Sequence, residues 1–159
     1  MTVRPIRPGD VPAVVALVRE LADYEKALHE VQLTEDQLTE RLFGGSPALF
    51  GHVAVADDEV VGMALWFLNF STWRGTHGIY LEDLYVQPQH RGTGLGKELL
   101  RTLAEVCVER GYARLEWSVL DWNTPSIEFY RAAGAVPMDE WTVFRLTDDA
   151  LATFAARGA

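Results

Sequence analysis

Three glycines spaced two apart, Gly92, Gly94 and Gly96, sit between a β-prone run, Gly78 to Val86, and an amphipathic helical pattern that begins near Gly94. A strand that enters a glycine loop and leaves it as a helix traps anions. The first N–H groups of a helix have no partner inside it, and the macrodipole places partial positive charge there. Glycine lets a phosphate come close to that backbone.

Spacing narrows the kind of phosphate site. A dinucleotide fingerprint needs glycine at the first, third and sixth positions, and counting from Gly92 the sixth is Lys97. A Walker loop ending at Gly96-Lys97 needs glycine where Arg91 stands and Ser or Thr where Glu98 stands. Neither fits. The pattern that remains is Arg91-x-x-Gly94-x-Gly96, with Gly92 inserted, after a strand ending Val86-x-Pro88.

The 159 residues suit one domain, taken here as 1–159. No apolar run approaches the roughly 20 residues that span a bilayer, and the N-terminal Met1-Thr2-Val3-Arg4-Pro5 carries no apolar signal core. Cys107 is the only cysteine, so no internal disulfide forms, and the expected compartment is the cytoplasm. Acidic residues outnumber basic ones 23 to 14, a formal charge of -9. That balance argues against nucleic acid and anionic membranes as partners and tilts towards cationic ligands.

Along the chain, Val3 to Arg7 alternates as a short strand before Pro8-Gly9. Asp10 is placed to cap a helix whose apolar stripe runs from Val11 to about Leu28, and Thr34-Glu35-Asp36-Gln37 is a capping box for a second helix through about Phe43. Phe50 to Ala56 and Val60 to Phe70 read as a hairpin turning at Asp57-Asp58-Glu59, and Ser71 to His77 as a polar connection to the strand Gly78 to Val86. The helix after the loop extends to about Arg110, where Gly111 stops it; Ala113 to Leu120 is the next expected strand. A helix from Thr124-Pro125-Ser126 to about Ala133, a strand at Thr142 to Leu146 and a terminal helix capped by Thr147 or Asp148 complete the chain. This order is α+β, with a mixed and mostly antiparallel sheet flanked by helices.

The loop, the element order and two further segments resemble the GCN5-related N-acetyltransferase (GNAT) superfamily over essentially the whole chain. Tyr80-Leu81-Glu82-Asp83-Leu84-Tyr85-Val86, Trp122-Asn123-Thr124-Pro125-Ser126-Ile127-Glu128-Phe129-Tyr130 and Leu21-Ala22-Asp23-Tyr24-Glu25 resemble its diamine (spermidine/spermine) N-acetyltransferase branch. The resemblance implies acetyl-CoA as cosubstrate, direct transfer to a primary amine of a small cationic compound in a ternary complex, and a homodimer. The amine is then a polyamine, a diamine or a thialysine-like aminoalkyl compound. A protein or peptide N-acetyltransferase and a non-catalytic acetyl-CoA sensor are the alternatives.

An alkylammonium ion must lose a proton before it attacks a thioester, so a nearby carboxylate helps. The resemblance implies Glu82 as that base, acting through an ordered water, and Asp83 as the group that orients the cation. Strand alternation puts the two on opposite faces unless a bulge re-aims one. The resemblance implies Tyr130 as the proton donor to the departing thiolate, and a phenol of ordinary pKa is protonated at neutral pH.

The backbone of Leu84, Tyr85 and Val86 would grip the pantetheine arm, and Arg91, Gly92, Thr93, Gly94, Leu95, Gly96 and Lys97 the pyrophosphate, with Asn123 and Ser126 completing the acyl-CoA set. Arg131 is basic where relatives often meet the nucleotide phosphate, but Ala132 and Ala133 are not. Tyr24, Glu25, Trp73, Asp121, Trp122, Glu140 and Trp141 are the remaining substrate candidates, by charge pairing and cation–π contact. His29, His52, His77 and His90 show no metal-ligand spacing, and no metal is expected. Cys107 falls on an apolar helix face and reads as inert core.

Overall fold

The computed structural model describes residues 1–156. They form two compact units, 1–120 and 121–156. The first holds a five-stranded sheet in the order β1-β2-β3-β4-β5, where β1 is Thr2–Pro5, β2 Phe50–Ala56, β3 Glu59–Ser71, β4 Thr76–Val86 and β5 Leu115–Trp117. All pairs are antiparallel except β4 with β5. A parallel pair needs a long crossover, which helix α3, Leu95–Arg110, supplies.

Helices α1, Val11–Tyr24, and α2, Glu35–Phe43, cover one face. Val11, Val14 and Leu17 from α1 and Leu38 and Leu42 from α2 pack with Val53, Met63, Leu65 and Tyr85 of the sheet. α3 lies on the other face: its Arg110 stacks over Trp66, the neighbour of Leu65 and so directed to the opposite side. Leu95, Leu99, Leu100, Leu103 and Cys107 are its buried stripe.

Several local predictions hold in detail. Thr34 and Gln37 close the capping box in both directions, at 3.0 and 3.2 Å. The β2–β3 turn is made by Asp57 and Asp58, both at positive φ (51° and 64°), the conformation that matches the twist of a two-residue hairpin.

Other boundaries differ. α1 stops at Tyr24 and not near Leu28, because Lys26 takes a left-handed conformation at φ 63°. Its N–H and that of Ala27 then bond back to the Asp23 and Ala22 carbonyls, closing the helix end. Asp10 makes no side-chain cap on α1; its carboxylate instead accepts from the Arg7 N–H at 2.8 Å and pairs with Arg4 at 2.7 Å. The strand expected at Val3 to Arg7 is Thr2–Pro5, and β3 and β4 extend to Ser71 and from Thr76, shortening the connection between them.

Of the strand expected at Ala113 to Leu120, only Leu115–Trp117 pairs.

The second unit holds α4, Thr124–Ala132, and α5, Asp148–Ala155. Thr142 to Leu146 forms no strand there, and Val143 and Phe144 are 81% and 92% exposed. β-prone residues need a partner strand to realise that preference, and none is paired with them among the described residues.

Candidate active site

β4 carries the carboxylates and delivers the loop. On β3 the register pairs Leu65 with Asp83 and Trp66 with Leu81, so Glu82 is an extra residue, a bulge in β4. The bulge reverses the alternation. Leu81 shares a face with Trp66, towards α3, while Asp83 shares a face with Leu65 and Tyr85, towards α1. Glu82 itself stays exposed.

Asp83 is half-buried, and its pKa is pushed up to about 7, first by burial and then by the negative charges of Glu82 and Glu25. Glu25 follows the last residue of α1, and burial raises its pKa too. Asp83 thus feels the charge of two neighbouring carboxylates near the end of α1. Repulsion of this kind is relieved by a cation.

β5 reaches only from Ile79 to Leu81 along β4. Asp83 to Val86 therefore pair with β3 on one side and with no strand on the other among the described residues, leaving the outer edge of Leu84 to Val86 unpaired by any strand, with the Val86 carbonyl taken by Arg91 Nε.

After Val86 the chain makes a 3-10 turn at Pro88–His90 and enters the glycines. Thr93 is tied down by its hydroxyl, which donates to the His90 carbonyl at 2.6 Å. Gly92 and Gly94 have φ of 77° and 89°, and Gly94 is the N-cap of α3 with no side chain capping the helix. The first-turn amides of Leu95, Gly96 and Lys97 are thus left to something outside the helix.

A Cβ on Gly92 or Gly94 would meet nothing within 4 Å, and one on Gly96 only Val86 Cγ2 at 3.9 Å. Protein packing does not fill that space. The residues present fit an anionic ligand bound by backbone.

The Arg91 side chain turns towards the strand: Nε donates to the Val86 carbonyl at 2.9 Å, and the guanidinium lies 5.3 and 5.6 Å from the ring centroids of Tyr85 and Tyr24. This arrangement is not legible in the sequence, since it depends on α1 packing beside the loop.

Tyr24, Glu25 and Asp83 are brought to one end of the first unit. Trp73 is not: it lies in the β3–β4 turn, 86% exposed, with the six-residue step from Thr76 to Glu82, about 20 Å of strand, between its hairpin and the bulge.

In the second unit Asn123 caps α4, its side-chain oxygen accepting from the Ser126 N–H at 3.4 Å. Tyr130 is half-buried on that helix, its ring 5.5 Å from Phe129. Asp121, Trp122, Glu140 and Trp141 are exposed. Arg131 lies in the last turn of α4.

Cys107 is buried, and burial raises its thiol pKa, which disfavours the thiolate. His52 is buried and accepts from Trp66 Nε1 at 3.2 Å; burial lowers its pKa and keeps it neutral. No group of three metal-ligating side chains occurs among the described residues. Nor is any helix among them long and apolar enough to cross a membrane.

The sequence matches the acetyltransferase (GNAT) family over residues 15–135. The chain belongs to that family. Its acetyl donor is therefore acetyl-CoA, as for GNAT acetyltransferases generally.

This acetyltransferase is 36% identical to the thialysine N-epsilon-acetyltransferase of Bos taurus, over 98% of this chain and 97% of that one. It is 30% identical to an L-ornithine N5-acetyltransferase of Arabidopsis thaliana, over 94% and 85%. A solved integron cassette protein from the mobile metagenome of V. cholerae shares the fold, with a TM-score of 0.81 at 24% identity over 97% and 96% of the two chains.

Proposed function

We propose that this acetyltransferase moves the acetyl group of acetyl-CoA to a primary amine of a small cationic compound, a polyamine, a diamine or a thialysine-like aminoalkyl amino acid, within a ternary complex. The observation that carries this reading is the carboxylate trio Glu25, Glu82 and Asp83, gathered by the β4 bulge on the strand that runs into the glycine loop. Relatives named for thialysine and ornithine support the same substrate class.

In this reading Asp83 and Glu25 hold the cationic chain, with Tyr24 as a further contact; Asp121, Trp122, Glu140 and Trp141 are the remaining substrate candidates. Glu82, exposed at the bulge, takes the ammonium proton through a water. The freed amine attacks the thioester carbonyl, the C–S bond breaks, and Tyr130 gives its phenolic proton to the sulfur. Backbone at Leu84, Tyr85 and Val86 holds the pantetheine arm, the amides of Gly92 to Lys97 hold the pyrophosphate, and Asn123 and Ser126 support the acyl-CoA side from α4.

We assign 1–159 to a single catalytic domain, since the family match runs across both compact units. We also infer a cytoplasmic homodimer. A lone buried thiol suits a reducing compartment, and the dimer is what the resemblance to the diamine acetyltransferase branch implies. The net charge of -9 disfavours nucleic acid and anionic membranes.

The pH profile tests the carboxylate site. Below pH 7 Asp83 keeps its proton and draws a cation weakly; above it the group is ionised, so kcat/KM for the amine rises through about pH 7. Asp83→Asn is expected to erase that inflection and lower kcat/KM about 10–100-fold at pH 8.

The same change has an opposite effect on the free protein. A carboxyl whose folded pKa lies above its unfolded value loses stability for the fold as pH rises between the two values. Asp83→Asn should therefore raise Tm above pH 7, by about 2–4 °C per kcal/mol recovered. An unchanged pH profile in the variant removes Asp83 from the amine site.

A further inference from the structure

Arg91 opens the glycine loop, the place from which its side chain would be expected to reach a phosphate. The structure directs it elsewhere. Its Nε bonds the carbonyl of Val86, the last residue of β4, at 2.9 Å, and its guanidinium sits 5.3 Å from the ring centroid of Tyr85 and 5.6 Å from that of Tyr24. Tyr85 is 7% exposed and packed in the core with α1 and α2. Tyr24 is the final residue of α1. One turn earlier on α1, Glu20 accepts a hydrogen bond from Gln87 Nε2 at 3.3 Å. The end of α1 and the entry to the loop are thus joined through one guanidinium, which meets a ring of α1 and a ring of β4, and through the Glu20–Gln87 bond.

We propose that Arg91 is a positioning residue for acetyl-CoA: clamped by the Val86 carbonyl and the Tyr24 and Tyr85 rings, it fixes the path of Gly92 to Lys97 so that their amides face the pyrophosphate, and it does not bind the phosphate itself. The proposal rests on the loop's being the acyl-CoA site. A guanidinium suits this task better than an ammonium. It is planar, stacks on aromatic faces and aims its Nε–H along a fixed direction, whereas a lysine offers a hydrated point charge that would still serve a phosphate.

Calorimetric titration of CoA in the absence of amine separates the roles, because any contact of Tyr24 with the amine then plays no part. Arg91→Ala should raise the Kd for CoA about five- to thirty-fold. Arg91→Lys should be nearly as poor, despite keeping the charge. Tyr24→Leu should also weaken CoA binding, and the double variant Arg91→Ala/Tyr24→Leu should bind no worse than Arg91→Ala alone, since the two changes break one clamp. Near-native affinity in Arg91→Lys, or additive losses in the double variant, would overturn the proposal in favour of direct phosphate contact. Absence of saturable CoA binding by the native protein would instead overturn the loop assignment, and the proposal with it. Unchanged circular dichroism in each variant ties the losses to the loop and not to unfolding; Tyr24, at 38% exposure, and Arg91, also exposed, are positions where side-chain truncation leaves the core intact.

Discussion

Replacing Tyr130 with phenylalanine is expected to lower kcat by about 10²–10³-fold while leaving the affinity for acetyl-CoA within about twofold. The ring of Tyr130 is half-buried beside Phe129, and phenylalanine preserves that packing, so the fold should survive. What disappears is one proton. A thiol of ordinary pKa, about 8.5, leaves as a thiolate with modest difficulty, which keeps the penalty below the upper end for general-acid catalysis. For the same reason the defect should be largest near neutral pH and shrink above about pH 8.5, where the thiolate needs no proton. Steady-state kinetics across pH 6.5–9.5 would measure it, and native turnover in the variant would remove Tyr130 from the mechanism.

Gly94→Val should raise the Kd for acetyl-CoA by about 10–100-fold, equivalent to roughly 1.4–2.7 kcal/mol. Two effects combine. At φ 89° a β-branched residue is strained, at a cost of about 1–2 kcal/mol that distorts the loop or is lost from folding. A Cβ there meets no protein atom within 4 Å, so the added side chain projects into the space assigned to the pyrophosphate. A thermal shift separates the parts: strain alone lowers Tm but leaves affinity near native, whereas steric exclusion lowers affinity even when the variant is fully folded. Equal CoA affinity in a folded variant would count against the loop assignment.

Legibility from sequence followed the range of the interactions. The glycine loop was readable because its residues act locally, through positive φ and the uncapped start of α3. The capping box at Thr34 and the Asp57-Asp58 turn were readable for the same reason. Glu82 and Asp83 were recognisable as a pair, but their directions were not. The bulge that turns Asp83 towards α1 is a property of the β3–β4 register, which no single strand encodes.

Arg91 shows the same limit, since its Tyr24 partner arrives from a helix 67 residues away in sequence. Thr142 to Leu146 shows the converse. Its residues are β-prone and read as a strand, yet a strand exists only where a second one lies beside it. The early end of α1 depends on Lys26 adopting a conformation usually left to glycine, which composition does not announce.

The most direct measurement is mass-spectrometric detection of acetylated product after incubation of the protein with acetyl-CoA and, separately, diamines, spermidine, thialysine and ornithine, neutral-chain monoamines, and peptides with free N-termini or lysines. The expected result is stoichiometric release of CoA with acetylation of a compound that carries a primary amine on a short cationic chain, and little product from neutral-chain monoamines or peptides. Acetylation confined to peptides, or CoA binding with no transfer to any amine, would contradict the assignment of the Glu25, Glu82 and Asp83 site to a small cationic amine.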